Sequence, residues 1–171
     1  IRDCLLSRGL GDVYKRQEEV YLIELNTGKI TFPELNITLS PLLHSTDFIS
    51  DFPKDKILRV RDMKNGYIWY DISEKVYDTK IPVDLCFNPQ GNLEFIELFP
   101  QNIDSNAILH LKNQTPTEIM KNEKRYCDEW LMKFCGLGNE ENSFWWGSIS
   151  SRFDPRSYSS GICIHYTNSE N

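Results

Sequence analysis

Alternating apolar and polar positions dominate residues 20–100 and predict pairs of antiparallel strands. Apolar residues flank Asn26-Thr27-Gly28, which predicts a first hairpin whose turn takes a positive φ at Gly28. Two further turn signals, Lys64-Asn65-Gly66 and Asn88-Pro89-Gln90-Gly91, each separate two runs rich in β-branched and aromatic residues. Between the first two hairpins, helix-start residues at Ser45-Thr46-Asp47 and a stop at Pro53 predict one short helix.

A second periodicity, that of an α-helix, begins after Thr115-Pro116-Thr117-Glu118. This tetrapeptide matches a capping box, in which Thr115 accepts from the amide of Glu118 and Glu118 reaches back. Apolar side chains then recur at helical spacing, and Gly136 stands where a left-handed C-cap is expected. The pattern predicts a helix over about 116–135 that buries Trp130.

Strand-like alternation returns in residues 144–153 and 161–166, on either side of an Asp154-Pro155 turn signal, and predicts a terminal hairpin. Together the elements predict an α+β fold. We expect a single, mostly antiparallel sheet of about six or seven strands, covered on one face by the long helix of the C-terminal half. The short helix belongs to the N-terminal half.

The opening segment, residues 1–17, follows neither periodicity. It resembles translated transposase-end and sequencing-adaptor DNA: residues 12–17 match the transposase end, and residues 7–12 match the adaptor before it. We therefore expect residues 1–17 to be a disordered artefact and residues 18–171 to form one α+β domain. The natural start codon is then displaced, and a lost signal peptide stays open beside the expected cytoplasmic location.

Composition narrows the classes of function. The 171 residues carry 19 Lys and Arg against 25 Asp and Glu, a formal net charge of −6. Setting aside the four basic and two acidic residues of the opening segment leaves 15 basic and 23 acidic residues, or about −8. This balance argues against a nucleic-acid partner. No apolar run approaches the roughly 20 residues of a membrane-spanning helix, so no membrane partner is expected.

Cysteines and histidines offer no metal-binding pattern. Cys86, Cys127, Cys135 and Cys163 lack the short spacing with which two thiolates reach one zinc ion. We expect them to be buried, reduced thiols, and we expect neither a metal nor another cofactor. None of the three histidines lies in a recognisable catalytic or metal motif.

Two kinds of site remain. The best catalytic group is Asp154, Arg156 and His165 near the terminal hairpin, although Asp154 and Arg156 also fit a simple turn. No nucleophile motif accompanies them, so the sequence favours a non-enzyme. Tryptophan and arginine are enriched at binding hot spots, although core packing also explains the tryptophans. The candidate binding residues are Trp69, Trp145, Trp146, Asp154, Arg156 and His165.

Residues 18–171 also resemble a family of small uncharacterised bacterial proteins. The resemblance rests on Asn65-Gly66-Tyr67-Ile68-Trp69-Tyr70, on the helix that contains Trp130, and on residues 146–166. The last stretch in that family usually reads WGxIxSxYDPKSGSSxIxIxY, so Arg156 replaces a commoner lysine and Phe153 a commoner tyrosine. Small acidic α+β proteins of this kind include immunity proteins of bacterial toxin systems.

The function hypothesis is thus a non-catalytic protein-binding domain, such as an immunity protein whose partner is a basic toxin. Two alternatives stay open: a generic intracellular interaction or structural protein, and a hydrolase that uses the terminal hairpin. Catalysis requires Asp154, Arg156 and His165 to converge in one pocket. An immunity role predicts a carboxylate-rich face with exposed aromatic side chains, and evenly mixed surface charge counts against it.

Overall fold

The computed structural model describes residues 23–32, 35–76, 79–100, 115–156 and 159–167. The opening segment and its predicted disorder lie outside these residues. The strands are β1 (Ile23–Glu24), β2 (Lys29–Phe32), β3 (Ile37–Leu39), β4 (Ile57–Asp62), β5 (Ile68–Val76), β6 (Thr79–Phe87), β7 (Leu93–Leu98), β8 (Asn142–Phe144), β9 (Gly147–Asp154) and β10 (Ser159–Tyr166). The helices are α1 (Ser45–Asp51) and α2 (Pro116–Cys135), and one 3₁₀ turn spans Lys54–Lys56.

The large sheet has seven strands in the order β4-β5-β6-β7-β10-β9-β8. Its neighbouring strands pair antiparallel throughout. Strands β4 to β7 form a meander, and β10 then pairs with β7 so that the terminal hairpin extends the same sheet. The predicted α+β class, the antiparallel sheet and its number of strands are confirmed.

A second sheet, which the sequence did not separate from the first, contains β1, β2 and β3. Gly28 has the expected positive φ, 70°, in the turn between β1 and β2. Among the described residues, the side chains of Tyr166, Trp146 and Trp145 donate hydrogen bonds that join the turn of this small sheet to the end of the large one. The Tyr166 hydroxyl donates to the Gly28 carbonyl at 2.6 Å, and Trp146 Nε1 donates to the Leu25 carbonyl at 2.8 Å.

The short helix α1 begins at Ser45, the first residue of its sequence signal, and His44 is its N-cap. Its Nδ1 accepts from the Thr46 amide at 3.3 Å, while Nε2 lies 3.0 Å from the Gln90 carbonyl. Both contacts are satisfied when Nε2 carries the proton. Phe48 of α1 then packs against the rings of Tyr70 and Phe87, at centroid distances of 5.1 and 5.4 Å.

The long helix α2 has the predicted bounds and both predicted caps. The Thr115 hydroxyl accepts from the Glu118 amide at 3.3 Å, and the Glu118 carboxylate accepts from the Thr115 amide at 2.8 Å. Gly136 closes the helix with a left-handed φ of 66°. The buried stripe of α2 includes Trp130, as predicted, and it packs on strands β9 and β10.

The large sheet thus has two unlike faces. One face, the core face, carries apolar side chains in every central strand, such as Ile72, Leu85, Ile96 and Ile164, each at most 1% exposed. Among the described residues, the elements that cover this face are α1, α2 and the small sheet. We call the opposite side the open face. Neither described helix has the length and apolar character needed to cross a bilayer.

Candidate functional site

The open face is built from two neighbouring rows of side chains, two residues apart along each strand. Strand register sets Trp69, Cys86, Phe95, His165 and Ser148 side by side, and we call this set the aromatic row. The next row contains Asp71, Asp84, Glu97, Cys163 and Ser150, and we call it the acidic row. Both rows consist of the strand positions that alternate with core residues.

The three rings of the aromatic row, those of Trp69, Phe95 and His165, are half-buried, whereas Cys86 between them is 1% exposed. The His165 ring stacks on Phe95 at 4.6 Å between centroids, with 12° between the ring planes. At the other end of the row, the Arg61 guanidinium lies over the Trp69 ring, 5.2 Å from its centroid. Such a cation–π contact restricts both side chains, so the row presents a preformed surface.

Arg61 also binds two carboxylates of the acidic row. Its Nη2 lies 2.7 Å from Asp71 Oδ1 and 2.6 Å from Asp84 Oδ2, and its Nε donates to Asp71 at 2.9 Å. Burial opposes the charge of Arg61, but its hydrogen bonds to Asp71 and Asp84 and their charges outweigh burial and raise its pKa. The Arg61 guanidinium is therefore the shared ion-pair partner of Asp71 and Asp84.

The third carboxylate of the acidic row, Glu97, lacks such a cation. Among the described residues, none donates a hydrogen bond to the Glu97 carboxylate or forms an ion pair with it within 4.0 Å. Burial, and secondarily the charge of Asp84, raise the pKa of Glu97. Burial and the charge of Asp71 also raise the pKa of Asp84, despite Arg61. Negative charge is therefore incompletely compensated in this row.

A cleft of about 280 Å³ opens at this point of the face, and Asp84, Glu97, Arg152 and Asp154 lie along it. Arg152 is engaged at the rim, where its Nε donates to the Ser150 hydroxyl at 2.9 Å and its Nη2 lies 3.6 Å from Glu141. The cleft is thus lined by three carboxylates and by two arginines, Arg61 and Arg152, that both contact carboxylates of this chain.

The open face also carries two thiols, Cys86 and Cys163, which are buried and free, like Cys127 and Cys135. Burial and neighbouring carboxylates raise the pKa of Cys86 to about 12, and mainly burial raises that of Cys163 to about 11. Neither supplies a thiolate nucleophile at neutral pH. Within the described part of the chain, no cluster of three or more metal-ligating side chains occurs.

The structure separates the three residues of the candidate catalytic group. Asp154 pairs with Ser159 at one end of β10, and His165 lies six residues further along that strand, which is about 20 Å. Asp154 Oδ1 accepts from the Arg156 amide at 2.8 Å, so these two residues form the predicted turn. Asp154, Arg156 and His165 therefore do not converge in one pocket.

The candidate tryptophans have three different environments. Trp69 is half-buried on the open face. Trp145 is 74% exposed in the turn between β8 and β9, with Nε1 donating to the Asn26 carbonyl at 2.8 Å. Trp146 is 1% exposed and stacks on Phe144 in the core, so a partner does not reach its ring directly in this structure. A binding role for the six candidate residues, Trp69, Trp145, Trp146, Asp154, Arg156 and His165, stays a prediction.

The sequence reasoning missed Arg61, Asp71, Asp84 and Glu97, the charged centre of the open face. Each of the three acids interrupts an otherwise apolar or aromatic strand at a position that alternates with core residues. That local signal was available, because a charged residue at such a position marks a solvated sheet face. Their assembly into one row depends on strand order, which the sequence did not provide.

No family model matches the chain, and no curated protein has a significant match to it. A chain of one solved structure does match in fold. That structure is described as "Rhs1-CT in complex with cognate immunity protein RhsI1". The match has a TM-score of 0.54 and 16% sequence identity, and it covers 86% of this chain and 90% of the other. At this identity the likeness establishes a shared fold over most of both chains.

Proposed function

We propose that this chain is a non-catalytic protein-binding domain that acts as an immunity protein: it binds a toxin in the cytoplasm and blocks its action. The observation that carries the proposal is the fold likeness to a chain of an immunity-protein complex, which extends over most of both chains. A likeness confined to a few strands is weaker support, because small sheets recur in unrelated proteins.

The open face supports the same proposal. Its acidic row and aromatic row supply charge and ring surface side by side, and these are recurrent components of protein interfaces. The formal net charge of −6 favours rapid encounter with a basic partner. Arginines also occur on this face, but Arg61 and Arg152 are both engaged by carboxylates of this chain.

The hydrolase alternative loses its best candidate site, since His165 lies about 20 Å along β10 from Ser159, the residue that pairs with Asp154 of β9. The generic interaction or structural role keeps the same binding surface but needs no toxin. These two binding roles differ in the identity of the partner, so the genetic neighbourhood separates them.

The test begins with long-read sequencing of the native locus across both ends of the coding region. We expect a toxin gene directly upstream, and we expect its C-terminal domain to bind the purified chain in calorimetry. A Kd at or below about 1 µM, or roughly −8 kcal/mol, is expected for a specific protective complex. Housekeeping neighbours with no binding to this chain would replace immunity with the generic role. Growth arrest caused by expression of this chain alone would contradict the immunity function.

A further inference from the structure

We propose that the open face of the large sheet is the docking surface for the partner, and that its occupant is a basic protein segment with an arginine or lysine side chain directed at Glu97. The inference rests on the proposed function for the identity of the partner. The preference of the open face for a cationic occupant is a property of this chain alone and is tested separately below.

The described helices and the small sheet leave the open face of the large sheet uncovered. The elements that pack on the large sheet within the described residues all lie on its core face, where α2 contacts β9 and β10 and Phe48 of α1 contacts Tyr70. The aromatic and acidic rows cross five neighbouring strands on the other side. Since adjacent strands are about 4.8 Å apart, each row is about 19 Å long, a length suited to a strand or helix of a partner.

The open face carries more carboxylates than guanidiniums among the described residues. Among the described residues, the side chains of Asp71, Asp84, Glu97 and Asp154 give this face four carboxylates, and Glu141 adds a fifth beside Arg152. Three guanidiniums accompany them: Arg59 acts on Asp84 through its charge, Arg61 is shared by Asp71 and Asp84, and Arg152 contacts Glu141 and Ser150. The remaining field is negative, so a cationic occupant is complementary to it and an anionic one is not.

Glu97 is the carboxylate that we expect to pair with the cationic side chain of the partner. Its strand partners across the sheet are Asp84 on one side and Cys163 on the other, and neither supplies a cation. The carboxylate lies on the cleft, within reach of an occupant, and it is partly desolvated by its surroundings. Arg61 and Arg152 act on Glu97 only through their charge at a distance, and an incoming guanidinium or ammonium group gives it the direct ion pair that no described residue forms.

Aromatic rings lie beside the Glu97 carboxylate and offer a packing surface to the partner. The aromatic row adjoins the acidic row, and the stacked pair Phe95 and His165 lies two residues along the strands from Glu97 and Cys163. A side chain whose cationic end reaches Glu97 can therefore lay its methylene groups against these rings. This arrangement favours a long basic side chain over a bare ion.

The cation preference is tested on the purified full chain with a hexa-arginine peptide at low ionic strength, followed by amide chemical shifts, with hexaglutamate as the negative control. We expect shifts to concentrate on the strand segments around Asp84, Glu97 and Cys163. Glu97→Gln should weaken peptide binding by about threefold. The matched variant is Glu129→Gln, which removes the same charge from the exposed side of α2. Shifts spread evenly over the surface, or equal losses in the two variants, would overturn the inference.

The docking itself is tested with the toxin C-terminal domain identified at the native locus. Glu97→Arg should weaken its binding by about tenfold or more, while Glu129→Arg leaves it within about twofold of wild type. Circular dichroism of each variant checks that the fold is retained. Should either variant misfold, protection of β7 and β10 amides from hydrogen exchange in the wild-type complex reports on the same surface.

The outcomes distinguish the two proposals. If the toxin domain binds wild type but Glu97→Arg is without effect and exchange protection lies elsewhere, this inference fails and the proposed function stands. If the neighbouring protein does not bind but hexa-arginine binds at Glu97, the proposed function fails and the cationic preference stands.

Discussion

Asp84 and Glu97 lie directly opposite each other on the antiparallel strands β6 and β7, both on the open face of the large sheet. Like charges in this position destabilise a sheet. The Arg61 guanidinium forms ion pairs with Asp84 and Asp71, whereas no described residue forms an ion pair with Glu97. A pair of like charges of this kind lowers the free energy of unfolding of the isolated chain. A functional site often retains such a cost because a partner relieves it.

Glu97→Gln should therefore raise the free energy of unfolding at pH 7. Because burial raises the pKa of Glu97 in the folded chain, the folded state resists the charged form that the unfolded state carries freely. The cost is absent below the ordinary carboxyl pKa of about 4.5, develops as the pH rises through the folded-state pKa, and is complete above it. Urea denaturation from pH 4 to 8 measures the difference between the two proteins.

The nearby titrating and charged groups are Asp84, Asp154, Arg61 and Arg152, and they remain in both proteins. Glu129→Gln is the control for loss of one negative charge from an exposed site. A stabilisation by Glu97→Gln that persists unchanged at pH 4, or an equal gain from Glu129→Gln, would contradict this account.

The adjacent tryptophans should respond differently to the same substitution. Trp146→Phe removes the donor to the Leu25 carbonyl inside the core, and we expect a loss of about 1–3 kcal/mol in the free energy of unfolding. Trp145→Phe removes a hydrogen bond at a side chain that is 74% exposed, and we expect a change within about 0.5 kcal/mol. Equal losses in urea denaturation would be inconsistent with the two environments.

Alanine substitution of two glycines with similar φ angles should cost different amounts of stability. Gly136→Ala meets open space at a φ of 66°, so only the left-handed backbone costs stability, about 1–2 kcal/mol. Gly28→Ala has the same backbone cost at a φ of 70°, and its Cβ also falls 2.5 Å from the Trp146 ring. That collision adds about 1–3 kcal/mol, because the core must shift. Thermal denaturation with equal losses for both variants would show that Gly28 does not pack tightly on Trp146.

The four thiols of residues 18–171 should react slowly with a thiolate-selective disulfide reagent in the native chain. Burial is the main cause that raises the pKa of Cys86 and Cys135 to about 12 and that of Cys127 and Cys163 to about 11, so few thiolates exist at pH 7. All four thiols should react rapidly once urea has unfolded the chain. Rapid labelling of Cys163 in the native chain would show that the floor of the cleft is open to solvent.

Local signals account for what the sequence predicted well. The turn at Gly28 and the capping box at Thr115 and Glu118 depend on residues within four positions of one another, and the structure has both. The separate small sheet depends on distant contacts, such as the hydrogen bond from Tyr166 to Gly28, and was not predicted. Propensity and periodicity carry no information about such pairings.

The tryptophans illustrate a second limit. The sequence predicts strand alternation from residue 144, but residues 145 and 146 form a turn, so β9 begins only at Gly147. Trp146 consequently enters the core and Trp145 points to solvent. The acidic row needed still more information, because Asp71, Asp84 and Glu97 become neighbours only through the pairing of three strands.

The most direct test of the central claim is the growth of a bacterial host that expresses the toxin gene from the native locus together with this chain. We predict that wild type and Glu129→Arg restore growth, whereas Glu97→Arg restores it poorly at equal protein level. Failure of the wild-type chain to restore growth, with the folded protein present in the cell, would contradict the immunity function.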